Sequence, residues 1–224
     1  IGAYNVVKAS VARNVKNVVA ISTDKAVKPV SAMGMTKALQ EKIILSDDLT
    51  KDKTKFCCVR YGNVLGSRGS VIPLWNSKIE QNEPLPVTHP DMTRFLLTLS
   101  QAIDLVFYSL KHGKGGEIFV KKAPSATMVN LAKAYAELKT GKKDYPLKYV
   151  GIRAGEKIDE VLVSHEEMRR AHEKKDHFVI ERESDFDVIS LKKSLKTIEY
   201  DSGAVSHLGV KELKEIMKKL NWIL

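Results

Sequence analysis

The sequence has few of the features that mark secreted, membrane or metal-binding proteins. Its two cysteines are the neighbours Cys57 and Cys58. Such neighbours rarely pair with each other in a regular strand, so a reduced, cytoplasmic setting is expected. No apolar run approaches the roughly 20 residues that a membrane-spanning helix needs. The six histidines lack the spacing of metal ligands, and we predict no metal site.

The formal net charge of +10 raises the question of a nucleic-acid partner. The lysines, however, are spread along the chain and interleaved with acids, a pattern typical of solvated helix faces. No basic stripe carries the interleaved aromatic residues that stack on bases. We therefore predict no nucleic-acid partner. The same charge suits an enzyme whose ligands carry pyrophosphates.

The glycine-rich turn Gly-x-Gly-x-x-Gly is also missing from the sequence. In dinucleotide-binding sheets this turn holds the pyrophosphate at a helix N-terminus. The nearest glycine cluster, Gly62 to Gly69, follows a predicted strand but does not open a helix as the turn requires. Either the chain is a fragment of a longer protein, which is our leading expectation, or it does not bind a dinucleotide.

The first part of the chain alternates between helical and strand patterns. Apolar residues recur at helical spacing from Tyr4 to Val15, and a second helix is predicted over 33–45. Short apolar runs at 18–21 and 56–59 indicate buried strands. Further helices are predicted at about 71–80, 98–111, 128–140 and 209–220, with strands near 84–88, 117–121, 147–151 and 175–181. This order predicts an α/β fold with a doubly wound parallel sheet.

A polar cluster follows the first predicted strand, where open α/β sheets bind ligands. It contains Thr23, Asp24 and Lys25. On the next helix, Met33 and Lys37 are four residues apart and share one face. A carboxylate, two amines and a hydroxyl thus converge at a strand end. The alternative is a capped turn with Lys37 exposed to solvent.

The stretch Ser22–Lys25 followed by Met33–Lys37 resembles the active site of the nucleotide-sugar 4,6-dehydratases, which are extended short-chain dehydrogenases/reductases. Three more motifs resemble that family in the same order along the chain: Arg60–Pro73, Pro90–Phe95 and Ile152–Lys157. The resemblance implies a UDP-N-acetylglucosamine 4,6-dehydratase, a lyase of capsule, lipopolysaccharide or other polysaccharide biosynthesis. It also implies NADP (or NAD) as cofactor, a UDP-sugar as substrate and a homo-oligomer.

The resemblance further implies two domains. Residues 1–70 would be the C-terminal part of a Rossmann-type dinucleotide-binding domain whose glycine-rich segment is lacking here. Residues 71–224 would form mainly a smaller, mixed α/β domain that binds the nucleotide sugar. Some of its segments would return to the Rossmann sheet.

Family chemistry assigns a role to each residue at the strand end. Hydride passes from C4 of the hexose to the cofactor, a base removes the C5 proton, water leaves from C6, and hydride returns to C6. By resemblance, Asp24 is the acid at the C6 hydroxyl and Lys25 the base at C5. Lys37 would bind the nicotinamide ribose, and Thr23 would bond near the C4 hydroxyl. The implied cofactor-binding residues are Thr23, Lys37, Tyr61 and Asn63.

Met33 departs from the pattern of the wider superfamily, which has a tyrosine as base at this position. A thioether cannot exchange protons. Some capsule and lipopolysaccharide dehydratases resemble this sequence in having methionine here. The C4 proton transfer then falls to Asp24, Lys25, Lys37 or a water. The resemblance also leaves open inversion at C5, which some methionine-bearing members carry out and which the 4-ketone intermediate makes chemically accessible.

The resemblance also implies a set of substrate-binding residues: Asn63, Val71, Ile72, Pro73, Thr88, Arg94, Arg153 and Glu156. Arg153 would clamp the diphosphate, because a guanidinium can meet two phosphate oxygens at once. Glu156 would accept from ribose hydroxyls. The alternative for this pair is a surface ion pair. Arg94, like Arg68, is a weaker candidate that would instead tie its loop together.

Two other functions remain open. A nucleotide-sugar 4-epimerase shares the fold and the oxidation step, but it needs no acid/base pair for C5 and C6 such as Asp24 and Lys25. A non-catalytic, truncated sugar-nucleotide binder would explain the missing glycine-rich turn. The four downstream motifs are an argument against it.

Overall fold

The computed structural model describes residues 1–46, 53–67, 69–182 and 198–220. The chain forms two compact units. The first contains Ile1–Gly62, Leu99–Lys122 and Val161–Asp201; the second contains Asn63–Thr98, Ala123–Glu160 and Ser202–Leu224. The chain therefore leaves the first unit after Gly62, eight residues before the predicted boundary at 70, and returns to it twice. No helix within the described ranges is long and apolar enough to cross a membrane.

The first unit is built on a five-stranded sheet. Its helices are α1 (Gly2–Ala12), α2 (Ala32–Ile44), α4 (Leu99–His112) and α6 (His165–Met168). Its strands are β1 (Asn17–Ile21), β2 (Lys55–Arg60), β6 (Ile118–Lys121), β9 (Val161–Val163), β10 (Ala171–Glu173), β11 (His177–Ile180) and β12 (Tyr200–Asp201). The sheet order is β1-β2-β6-β11-β10, and β9 pairs with β12 separately.

The predicted α/β fold with a parallel sheet is confirmed. Strands β1, β2 and β6 are parallel, with Ile21 opposite Val59 and Cys58 opposite Ile118. The sheet as a whole is mixed, because β11 and β10 add antiparallel strands at one edge. A parallel connection needs a long crossover, whereas β10 and β11 are close enough in sequence to form an antiparallel pair.

Helices cover both faces of this sheet. Successive residues of a strand point to opposite faces, so neighbouring residues of β2 contact different helices. Cys57 and Val59 pack in one cluster with Leu105 of α4. Cys58 and Arg60 have the opposite parity and face α2. Both cysteines are buried free thiols, and burial raises the pKa of Cys57 to about 12. They are core residues of the strand, as the sequence indicated.

The second unit packs three helices against two small sheets. Its helices are α3 (Val71–Glu80), α5 (Met128–Thr140) and α7 (Val210–Lys219), and its strands are β3 (Asn63–Val64), β4 (Leu85–Val87), β5 (Thr93–Leu97), β7 (Ser125–Thr127) and β8 (Leu147–Tyr149). The sheets are β3-β5-β7 and β4-β8. Trp75 is fully buried, and its indole Nε1 donates to the Pro86 carbonyl at 2.9 Å. Strand β5 was missing from the predicted elements, because all five of its residues are buried and show no alternation.

Helix α2 approaches the chain that follows β1 very closely. The Ser31 side chain accepts from the Gly34 backbone N–H at 3.1 Å and so caps the helix. A Cβ at Gly34 would lie 2.4 Å from the Lys25 carbonyl oxygen. Glycine is therefore required for this contact, and not for an unusual φ angle.

We expect Gly34→Ala to lower the free energy of unfolding by about 1–3 kcal/mol, because backbone must move to admit the methyl group. Alanine is otherwise the better helix former by about 1 kcal/mol, so a loss would report the close contact itself. Thr36→Ala, at an exposed position of the same helix, is the matched control. Denaturant unfolding measures both. Equal stability of Gly34→Ala and wild type would show that the contact can relax without cost.

Candidate functional site

The polar cluster lies at the carboxyl end of β1. The Ser22 backbone N–H donates to the Val59 carbonyl at 2.7 Å, and the Asp24 N–H donates to the Tyr61 carbonyl at 3.3 Å. These bonds continue the ladder between β1 and β2 past its last paired residues. The Thr23 hydroxyl caps the short 3-10 turn Asp24–Ala26. The extended hydrogen-bond ladder between β1 and β2 therefore places the cluster at one edge of the sheet.

Asp24 is fully buried in the middle of this cluster. Its Oδ1 accepts from the Thr23 hydroxyl at 2.7 Å and from Lys25 Nζ at 3.0 Å. Among the described residues, neither Asp24 Oδ2 nor Ser22 Oγ has a hydrogen-bond partner. Buried polar atoms of this kind are rare in native proteins and cost free energy.

The burial of Asp24 changes the role expected from the sequence. The Lys25 side chain is 33% exposed, whereas that of Asp24 is 1% exposed. A ligand at this edge would meet the Lys25 ammonium and the partly buried Thr23 hydroxyl before the carboxylate. Direct contact between Asp24 and a sugar hydroxyl is therefore not provided by this arrangement. Asp24 is linked to the surface through its two neighbours.

Lys37 is fixed at the same strand end and is not a free solvent-exposed lysine. Its Nζ donates to the Ile21 carbonyl at 3.1 Å and to Gln40 Oε1 at 3.2 Å. Gln40 Nε2 donates to the same Ile21 carbonyl at 3.1 Å. An ammonium has three N–H donors, so one remains for a ligand. Met33, one turn earlier, is 48% exposed.

The residues predicted to bind a nicotinamide cofactor fall into both units. Thr23, Lys37 and Tyr61 belong to the first unit, and Asn63 to the second. The Thr23 hydroxyl and the remaining donor of Lys37 fit a ligand that carries neighbouring hydroxyls, such as the nicotinamide ribose. Tyr61 is half-buried, and desolvation raises its pKa. Its phenol therefore stays protonated at neutral pH.

The second unit contains a pocket of about 460 Å³. Seven of the eight residues predicted to bind substrate line it: Asn63, Val71, Ile72, Thr88, Arg94, Arg153 and Glu156. The eighth, Pro73, is exposed on α3 and does not line the pocket. Pro73 lies between Ile72 and Leu74, which both line the pocket, but its own side chain is exposed. Arg68 lies outside the described residues.

The pocket also has an apolar wall that the sequence did not reveal. It is formed by Leu65, Leu96, Met128, Leu131 and Val150, among others. In the sequence these residues look like ordinary core positions, so no local signal distinguishes them. Such a wall with a few polar groups is typical of small-molecule sites.

The N-terminus of α3 opens into this pocket. Gly69, Ser70 and Val71 line it, and the first N–H groups of a helix have no acceptor within the helix. The Ser70 hydroxyl is buried and has no partner among the described residues. Free N–H donors and the helix dipole together favour an anionic group at this position.

The two arginines of the pocket differ in the hydrogen bonds that their guanidinium groups make. Arg94 is buried, and its guanidinium donates to the carbonyls of Thr93, Lys157 and Ile158 at 2.6–2.9 Å. This supports the alternative prediction that Arg94 ties its loop together. Arg153 is exposed, and the described residues offer its guanidinium no acceptor. Its backbone N–H donates to Glu156 Oε2 at 3.2 Å, so Arg153 and Glu156 share a turn, but their side chains do not form the surface ion pair that was the alternative prediction.

Comparisons with known proteins agree with this fold. A family described as polysaccharide biosynthesis protein matches residues 1–182. Proteins named UDP-glucose 4-epimerase in Rickettsia bellii (strain OSU 85-389) and Rickettsia prowazekii (strain Madrid E) are 40% identical over 231 residues, covering 100% of this chain and 67% of theirs. The chain thus spans about two thirds of the length of these relatives.

Solved structures show the same likeness. Pen from Bacillus thuringiensis is 36% identical with a TM-score of 0.86, over 97% of this chain and 66% of that one. The dTDP-glucose 4,6-dehydratase from Bacillus anthracis str. Ames, in complex with NAD, is 19% identical with a TM-score of 0.61. It covers 69% of this chain and 56% of that one, and shows the fold alone.

We expect Arg94→Met to lower the free energy of unfolding by about 2–4 kcal/mol, because three buried carbonyls lose their donor. Arg153→Met, which removes an exposed guanidinium from the same pocket, is the matched control and should change stability by less than about 0.5 kcal/mol. Urea unfolding of both variants measures the difference. Equal effects would mean that Arg94 does not hold the loop.

Proposed function

Because this chain belongs to the polysaccharide biosynthesis protein family, whose fold is that of extended short-chain dehydrogenases/reductases, we propose that the protein is a nucleotide-sugar-modifying enzyme. The reaction is the 4,6-dehydration of UDP-N-acetylglucosamine to a UDP-4-keto-6-deoxy-N-acetylhexosamine. The observation that carries the proposal is the contact between Asp24 and Lys25, 3.0 Å apart at the end of β1. Such a pair can supply both the acid and the base that loss of water requires.

The pair is suited to elimination because a proton can move from Lys25 to Asp24 without changing the net charge of the pair. Transfer of one proton from the Lys25 ammonium to the Asp24 carboxylate gives a neutral amine and a neutral acid. The amine then takes the C5 proton, and the acid supplies a proton to the departing C6 hydroxyl, which leaves as water. Lys25 ends as ammonium and Asp24 as carboxylate. The elimination therefore restores the ion pair.

The Thr23 hydroxyl provides a route for the proton of Asp24. Asp24 is fully buried, and Thr23 Oγ1 lies 2.7 Å from its Oδ1. A hydroxyl both accepts and donates, so Thr23 can take the proton of the acid and pass its own to the C6 oxygen. On this route Lys25 and Thr23 contact the sugar, and Asp24 acts through them.

Lys37 serves the oxidation step at C4. NAD or NADP, when bound, supplies the hydride acceptor for that step. The Lys37 ammonium is held by the Ile21 carbonyl and Gln40, and its remaining N–H would donate to the nicotinamide ribose. As a fixed cation it favours loss of the C4 hydroxyl proton. Met33 offers no proton to exchange.

The pocket of the second unit holds the UDP part of the substrate. Its volume of about 460 Å³ falls within the usual range of ligand sites. The Arg153 guanidinium and the N-terminus of α3 bind the diphosphate, since both offer donors without acceptors in the described chain. Thr88 and Asn63 contact the nucleoside. The second carboxylate oxygen of Glu156 accepts from the ribose.

A second candidate is UDP-glucose 4-epimerase, which is favoured by the names of relatives 40% identical to this chain. Epimerisation shares the C4 oxidation and the nucleotide-binding pocket. It differs after the oxidation, because the 4-keto sugar is reduced again without loss of water. The Asp24–Lys25 pair then has no part in the chemistry. The two reactions are separated by the mass of the product.

We expect the full-length protein, incubated with UDP-N-acetylglucosamine and NADP or NAD, to give a product lighter by one water in the mass spectrum. Asp24→Asn should reduce the rate of water loss by about 100-fold or more, because the acid is removed. Hydride transfer from C4 should persist in this variant as a transient rise in reduced cofactor. Unchanged mass with an epimerised sugar would establish the epimerase and overturn the dehydratase.

Binding of UDP tests the pocket separately from the chemistry. Arg153→Met should weaken UDP binding by about 10- to 100-fold, since a charge-assisted contact of roughly 1.5–3 kcal/mol is lost. Uridine, which lacks the diphosphate, should bind the variant and the wild type alike. Arg153→Lys should be intermediate, because it keeps the charge but loses the fork. Calorimetry measures all three. Equal losses for UDP and uridine would place Arg153 away from the diphosphate.

A further inference from the structure

We propose that Glu41, Arg60 and Glu167, here called the charge triad, form a positioning element that holds α2, and through it Lys37, at the end of β1. The inference rests on the proposed function only through the cofactor-binding role of Lys37. Both reactions considered above need that role. It therefore survives if the enzyme proves to be an epimerase.

Every donor of Arg60 has an acceptor in the triad or beside it. Its Nε and Nη2 donate to the two oxygens of Glu41 at 3.1 and 2.6 Å. Its Nη1 and Nη2 donate to the two oxygens of Glu167 at 2.9 and 3.0 Å. The Leu162 carbonyl accepts the remaining Nη1–H at 2.9 Å. Five N–H groups thus meet five acceptors, in the planar geometry that only arginine offers.

The triad is buried, and this makes it costly as a stabilising device. Arg60 is 1% exposed and Glu41 is 6% exposed. Burial alone would raise the pKa of Glu167, but the charge and hydrogen bonds of Arg60 lower it overall. Apolar residues of similar volume often stabilise a core as well as a buried ion pair does. What charges add is a fixed geometry, and this points to a positional role.

The triad touches both elements that carry the candidate site. Glu41 lies on α2 one turn after Lys37 and on the same face. Arg60 ends β2 and is followed by Tyr61, whose carbonyl accepts from the Asp24 backbone N–H. Glu167 comes from α6, 107 positions after Arg60 in the sequence. It binds the Nη1/Nη2 edge of the guanidinium, next to the Nε/Nη2 edge that Glu41 binds.

Among the described residues, the other contacts between α2 and this strand end involve backbone groups of the strand end, not charged side chains. Lys37 and Gln40 both bond to the single carbonyl of Ile21, and Gly34 only makes close contact with Lys25. None of these fixes the helix against a small rotation or slide. The bidentate contact between Glu41 and Arg60 does so, because two parallel hydrogen bonds define direction as well as distance. Loss of Glu167 would free Arg60 to move and take α2 with it.

A double-mutant cycle on the full-length protein tests this inference. The variants are Glu167→Gln, Lys37→Met and the pair together. The readout is the dissociation constant of NADPH or NADH, whichever binds the wild type more tightly, measured by its fluorescence. Glu167→Gln should weaken binding about 10-fold when Lys37 is present and less than about 2-fold when it is replaced. Such coupling is not expected from a merely structural role.

Glu173→Gln is the matched control. Glu173 makes an exposed ion pair with Lys122 in the same unit, away from α2, and its replacement should leave binding and coupling unchanged. Thermal melts establish that each variant is folded. Glu167→Asp, which keeps the charge and shortens the reach, is run alongside and should show the same coupling at smaller size.

The possible outcomes separate the two proposals. Additive effects of Glu167→Gln and Lys37→Met, in a wild type that binds the cofactor, would overturn the positioning role and leave the proposed function standing. A wild type that binds neither nucleotide would overturn the proposed function and this inference with it. If Glu167→Gln does not fold, additivity or coupling in Glu167→Asp decides the question.

Discussion

The parallel pairing of β1 with β2 is the constraint on which the candidate site depends. Hydrogen bonds from Ser22 to β2, and from Asp24 to the residue after β2, continue the ladder beyond its end. The polar cluster therefore continues in the direction of the strand. The same strand end then anchors α2, because Lys37 and Gln40 both bond to the Ile21 carbonyl. A carboxylate, a hydroxyl and two amines meet at one edge without a long connection.

Two buried charged side chains near this edge, Arg60 and Asp24, differ in how many of their polar atoms have hydrogen-bond partners. In the charge triad each donor of Arg60 has an acceptor, and such a fully satisfied network makes its surroundings rigid. Asp24 is equally buried, but only one of its oxygens accepts hydrogen bonds from described residues. A half-satisfied carboxylate costs free energy that the fold must supply elsewhere. The contrast agrees with the two proposed roles, a positioning role for Arg60 and a chemical role for Asp24.

Much of this arrangement could be predicted from local sequence patterns. The contacts between residues far apart in the sequence could be seen only in the folded structure. The strand-end rule and the four-residue helical spacing place Thr23, Asp24 and Lys37 together, as the structure also does. The partnership of Arg60 with Glu167 could not be foreseen, because 107 positions separate them and no local pattern links the two. Helical spacing alone could not separate Pro73 from Val71 and Ile72, because the consecutive residues Val71 and Ile72 both line the pocket.

The residues that divide the two candidate reactions are not those that the reactions share. In the proposed function Thr23 and Lys37 serve the oxidation at C4, a step that dehydratase and epimerase share, so their geometry supports both reactions equally. The names of the relatives describe proteins of which this chain covers 67%, and they carry no information on C5 or C6. In an epimerase, Asp24 would remain a buried acid bonded to Lys25, with no proton to deliver and with one oxygen that has no hydrogen-bond partner among the described residues. Since such a group costs free energy on folding, its presence favours the proposed loss of water from C5 and C6, a step that would use it.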